Sequence, residues 1–297
     1  MFNSKAKKYI CLIIGLFALL GISFGVFYHK NNKDMSSINI QSEQVTNDNT
    51  IKENSVKEKI KKVEVLNPAQ KYYKDYLEQD VKNFLVNAKN SKDNDLEFSK
   101  LQTKFIKAAD FLNEKYPEKI DITDIYYQRN WIKLSCIEGI YIYAVNSEYL
   151  LEKYGQYIST SYREWLKFIL KRETVLQDGG FIVPPDTLRE YIIFLEKFVD
   201  QNADFILISD AKDLLQSYLM IYLEGVDNSP IFDKWNTRKM KPEFKSSYEK
   251  FLSENKDSKY YSIVKELYDK SKSNDFTWDK DFDTWLLEYN KKYFTNN

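Results

Sequence analysis

Histidine and cysteine are almost missing from this 297-residue chain, and their scarcity removes much of the familiar catalytic chemistry. The single histidine, His29, sits at the edge of an N-terminal apolar run. Everything after it therefore lacks a Ser-His or Cys-His couple and any histidine-ligated metal. Cys11 lies inside that run and Cys136 stands far beyond it, so no disulfide staples the region that follows, which is long enough to build a core without one. No cofactor or metal site is expected.

Glycine is scarce too. Of the eight, Gly15, Gly21 and Gly25 belong to the apolar run, leaving Gly139, Gly155, Gly179, Gly180 and Gly225. Average usage of about 7% would place roughly 18 over that length. Nucleotide-binding α/β folds and Greek-key sandwiches, which draw on many φ > 0 turns or on close backbone approach to phosphate, are disfavoured. Arginine occurs only at positions 129, 163, 172, 189 and 238, while lysine, asparagine, isoleucine, tyrosine and phenylalanine abound. An A/T-rich coding sequence accounts for that bias, so the 23 tyrosines are not in themselves a ligand-binding feature.

Charge is balanced, with 44 basic and 44 acidic side chains, but unevenly placed. Residues 1–33 hold Lys5, Lys7, Lys8, Lys30 and Lys33 and no acid, so the remainder is net negative by five. Phosphate neutralisation needs clustered cations, and nucleic acid is not the expected partner.

The long hydrophobic run is Tyr9–Tyr28, 20 residues without a charge, preceded by three lysines and followed by His29, Lys30 and Lys33. At 1.5 Å per residue it spans roughly 30 Å, the thickness of a bilayer core. Gly21 and Ser23 would suit signal-peptide cleavage, but the apolar run continues through Val26 and Phe27. Tyr9 and Ile10, before Cys11, are not the small residues of a lipoprotein site. The expectation is an uncleaved single-span anchor with a short cytoplasmic segment, residues 1–8, and the bulk of the chain extracytoplasmic. Gly21 and Gly25 form a GxxxG spacing through which two spans could pair as a homodimer. Residues 29–66, poor in apolar side chains, read as a flexible linker; Asn31 to Asn54 alone would span roughly 25–30 Å on average.

From residue 67 onward the pattern is helical. Asn67 and Pro68 predict an N-cap and first helical position, followed by Tyr72, Tyr73, Tyr76, Leu77, Val81, Phe84 and Leu85 at helical spacing. Phe98, Leu101, Phe105, Ala108, Ala109 and Leu112 mark a second helix ending near Pro117. A third is expected over Thr123–Val145, a fourth from Ser147 to about Glu173, and others over 188–200, 211–224, 242–255, 259–270 and 281–294. The fold class is all-α, a multi-helix bundle or α-solenoid-like domain over 67–297 with a subdivision near 177–187. Tyr162, Tyr191, Tyr218 and Tyr248 open similar pentapeptides 29, 27 and 30 residues apart, a spacing too irregular for a tetratricopeptide consensus. In Asp178–Thr187, DGGFIVPPDT, the glycines end one helix and the prolines lead into the next, with Thr187 and Glu190 at capping-box spacing.

Motifs for chemistry are thin. Ser-x-x-Lys recurs at Ser209/Lys212, Ser247/Lys250, Ser253/Lys256 and Ser262/Lys265 without the companion elements of acyl transferases. Asp279, Asp281 and Asp283 imitate a calcium loop, but Thr284 and Asn290 replace its glycine and glutamate, so they read as acids at a helix N-terminus. Glu138 is the catalytic candidate. On the expected third helix, apolar nearly all round, it would share a face with Trp131, Leu134, Ile142 and Val145 and be buried. A buried carboxyl needs a partner or a raised pKa, and the latter suits a glycosidase general acid, with Asp178 or Asp186 as the second carboxylate. Two functions follow: a membrane-anchored protein-binding or scaffolding module of the cell envelope, or a histidine-free, metal-free hydrolase of cell-wall glycan.

Overall fold

The computed structural model describes residues 66–89, 94–117, 120–137, 139–172, 175–177 and 180–294. The apolar run 9–28, with Gly21 and Gly25, and the polar stretch after it lie outside them; among the described residues no helix is long and apolar enough to cross a membrane. The described chain is mostly helical, with three two-stranded antiparallel ribbons.

Asn67 opens α1 (Pro68–Tyr72) as expected: its Oδ1 accepts from the Gln70 backbone N–H, and Gln70 Oε1 accepts from that of Asn67, both at 2.8 Å. A π-helical turn (Tyr73–Leu77) carries α1 into α2 (Glu78–Ala88). There Val81, Phe84 and Ala88 turn inward beside α3 (Asp95–Lys115), whose six predicted apolar residues are all buried.

The expected helix over Thr123–Val145 is not one. After the short α4 (Tyr126–Arg129) the chain forms β1 (Ile132–Ile137) and β2 (Ile140–Val145), paired from Ile132↔Val145 to Ile137↔Ile140 around residues 138–139. Gly139, at φ +79°, takes a turn conformation closed to most side chains. The segment is rich in Ile, Tyr and Val, which suit a pleated surface, and a run apolar on all sides does not by itself separate a buried helix from strands. The hairpin docks on α3 through one amide: Asn113 Oδ1 accepts from Tyr143 N–H at 2.8 Å, and its Nδ2 donates to Tyr143 C=O at 2.9 Å.

The expected fourth helix is also interrupted. It divides into α5 (Ser147–Tyr154), a 3₁₀ turn (Gly155–Tyr157) and α6 (Thr160–Lys171). Ser159 restarts it by accepting from Tyr162 N–H at 3.1 Å, while Arg163 Nη1 donates to the carbonyls of Gly155 and Ile158 left open at the break.

Beyond it a two-residue ribbon, β3 (Leu176–Gln177) with β4 (Gly180–Phe181), leads into α7 (Pro185–Gln201). The turn within DGGFIVPPDT is thus a small hairpin and a helix start. The capping box expected at Thr187 is absent because the helix begins earlier: Pro184 is the cap, and Pro185 occupies the first position, where a missing N–H costs nothing. Then follow α8 (Ile208–Glu224), the ribbon β5 (Gly225–Val226) with β6 (Ser229–Pro230), α9 (Pro242–Glu254), α10 (Tyr261–Ser273) and α11 (Lys280–Phe294), each helix within three residues of its expected bounds.

One aromatic-rich core runs through these elements. Phe105 stacks on Trp131 at 5.5 Å, Phe98 meets Tyr162 edge-on at 5.0 Å, and Tyr222 meets Tyr248 edge-on at 5.0 Å. Several buried tyrosines find hydroxyl partners, Tyr162 with Gln102, Tyr222 with Ser247, and Tyr248 with the Tyr222 carbonyl, whereas the buried hydroxyls of Tyr143 and Tyr154 have none among the described residues. The helix α7 packs on α8 and α9, and α9 on α10.

Candidate functional site

Glu138 itself lies outside the described residues, as does Asp178. The segments on either side of Glu138, β1 to Ile137 and β2 from Ile140, are strands, so the shared helical face with Trp131, Leu134, Ile142 and Val145 that made it a catalytic candidate does not exist. Asp186, in the first turn of α7, is engaged in an ion cluster. Its Oδ1 accepts from Arg189 Nε and its Oδ2 from Lys250 Nζ, each at 2.7 Å, while Arg189 Nη1 also reaches Asn255 and Glu254. Burial pushes the Asp186 carboxyl up, but the bonds and charges of Arg189 and Lys250 outweigh it and hold it below its ordinary range. With Arg189 only 6% exposed, this cluster ties α7 to α9.

Two other inward carboxylates contrast sharply. Glu196, on α7, is buried and satisfied: it accepts from Ser258 Oγ at 2.6 Å and Lys259 N–H at 2.5 Å, fastening the turn before α10. Glu224, the last residue of α8, has no cation among the described residues to offset its burial, and its carboxyl is pushed up to about 7. It also sits at the negative end of its own helix dipole. Glu224 has the raised pKa sought at Glu138. The sequence could have flagged it as an acid, rather than a base, closing an apolar helix.

The Ser247/Lys250 pair does not act as a couple. Ser247 bonds Tyr222, whereas Lys250 bonds Asp186. Asp279 Oδ1 accepts from Phe282 N–H at 2.8 Å and so caps α11. Among the described residues no group of three or more His, Cys, Asp or Glu side chains is arranged to hold a metal.

The surface between β6 and α9 carries a feature that periodicity could not find. Of the five tryptophans, Trp131 and Trp165 are fully buried and Trp278 and Trp285 half-buried, but Trp235 is 91% exposed. Its loop is tied down on the inside. Ile231, Phe232 and Met240 enter the core at its two ends, and Phe232 bridges Met240. Asp233 gathers the turn, its carboxylate accepting from the backbone N–H and side chains of Asn236 and Thr237, while Arg238 N–H donates to Asp233 C=O at 2.7 Å.

A second segment backs the loop. Met240 N–H donates to Phe276 C=O at 2.8 Å, Trp278 N–H to Arg238 C=O at 2.6 Å, and Lys239 Nζ to Asp275 Oδ2 at 2.6 Å. Among the described residues, the non-glycine positions with positive φ are Arg238 (57°), Asp275 (48°) and Phe276 (53°), all at this junction. For a residue as bulky as Phe276 this backbone is a true outlier, and such strain, about 1–3 kcal/mol each, gathers at binding and switch regions. A rigid, strained loop that holds an indole in solvent can bind; it brings no acid, base or nucleophile together. No protein-family model matches the chain, nor does any curated protein or solved structure.

Proposed function

We propose that this chain is a single-span, membrane-anchored protein that presents its helical domain, a bundle or solenoid-like array, outside the cytoplasm as a protein-binding or scaffolding module of the cell envelope. The observation that carries the reading is Trp235, 91% exposed on a loop bonded internally at every turn. Tryptophan and arginine are the residues that most often anchor interfaces, and a loop already held in one shape loses little entropy on docking. The 20-residue apolar run with its basic flanks supports the anchor, and the polar stretch 29–66 supports a tether that lets the domain search for its partner. Gly21 and Gly25 support pairing of two copies within the membrane.

In-cell crosslinking of the full-length chain, followed by mass spectrometry of the captured species, tests the reading. One protein partner recovered at near-equal amount is the expected result. Recovery of only the chain itself, or of wall fragments, would remove the support for an interaction module.

A further inference from the structure

We propose that the partner is a protein with an acidic, concave surface, its slot filled by the Trp235 indole and its carboxylates met by the cations around it. This rests on the interaction reading above and adds the chemistry of the partner. Residues 234–241, KWNTRKMK, carry Lys234, Arg238, Lys239 and Lys241 with no acid among them, in a chain that is net negative by five beyond residue 33. The two acids bonded to the loop are already engaged: half-buried Asp233 accepts from Asn236 and Thr237, and exposed Asp275 pairs with Lys239.

Aromatic rings hold one of these cations, and one more, in place. Lys234 Nζ lies 4.9 Å from the centre of the Trp278 ring, and Lys245 Nζ 4.3 Å from that of Phe276. Set against Lys234, Arg238, Lys239, Lys241 and Lys245, the acids Asp233, Glu243 and Asp275 leave the patch positive by two, five cations against three acids. Positive patches meet negative ones because like charges repel and opposite charges steer the encounter.

The same patch argues against a lipid surface. A membrane-inserting element offers several apolar side chains together, whereas Trp235 is followed by Asn236 and Thr237, both exposed and polar. A single rigid indole with flanking cations is the shape of an interface anchor entering a pocket.

The test uses the full-length chain in its own cells with benzoylphenylalanine in place of Trp235, irradiated and analysed for the adduct. A protein peptide rich in Asp and Glu is expected. In parallel, chemical capture of that protein should fall at least about tenfold with Trp235→Ala and with Arg238→Glu, the effect of losing one anchor. Trp235→Ala removes an exposed side chain, so unchanged circular dichroism is expected and would separate lost docking from lost folding. A lipid adduct, or a protein adduct with no acidic excess, would overturn the proposal. A partner captured equally well by both variants would reject this loop while leaving the interaction module intact, and no partner at all would reject the module itself.

Discussion

Among the inward-facing carboxylates, the difference between a strut and a stress is the presence of a partner. Glu196 receives two short hydrogen bonds, and Asp186 two cations; among the described residues Glu224 receives neither and responds by favouring its proton. Its carboxyl titrates at 4.5 in the reference state and about 7 in the fold, so between those values the folded chain binds the extra proton. The contribution is therefore fully present below pH 4.5 and lost as pH rises through about 7, a change on the order of 3 kcal/mol at ~1.4 kcal/mol per pKa unit. Glu224→Gln should raise stability at pH 8.5 by up to about that amount and leave it unchanged at pH 4, as read from urea midpoints at the two pH values. An equal gain at both would show that shape rather than charge sets its effect. Glu138 is tested by function instead. On the interaction reading, Glu138→Gln leaves glycan turnover unchanged; loss of turnover with folding retained would transfer the case to a hydrolase.

At the scale of elements, Asn113 stands in for a missing strand. Its amide presents one donor and one acceptor to Tyr143, as a neighbouring peptide group would, and so couples α3 to the hairpin. Asn113→Ala should cost about 2–4 kcal/mol, because it leaves two buried backbone groups unpaired. Hydrogen exchange at the Tyr143 amide should accelerate markedly; retained protection there would mean that the bond is not what holds the hairpin. The hairpin is also where sequence reading failed. The helices were legible because long amphipathic stripes such as Phe98 to Leu112 repeat often enough to fix a period. Six-residue strands are too short to fix a period: β2 is apolar on both faces, and the alternation of Ile132 and Leu134 with Lys133 and Ser135 in β1, like Gly139, was a clue too brief to outweigh the apolar run. The break at Gly155–Tyr157 was hidden likewise, since Ser159 and Arg163 form an end that composition does not mark.

Across the whole molecule, burial and exposure of the same residue types separate framework from function. Trp131, Trp165 and the buried tyrosines fill the interior, so the aromatics attributed to coding bias in the sequence serve largely as packing in the fold. That same averaging concealed Trp235, which follows the buried Ile231 and Phe232 at helical spacing as a core residue would, and whose significance depends on bonds to residues near 275. No local pattern encodes a contact across that separation.

The chain enters the described fold at Asn67, whose side chain is doubly engaged: it caps α1 and donates to Asp124 Oδ2 at 2.6 Å. Tension arriving along the preceding residues would thus load two elements in parallel instead of unzipping α1 one turn at a time. A pull on the N-terminus should meet its first resistance at the Asn67–Asp124 clasp, ahead of the hairpin and the core behind it.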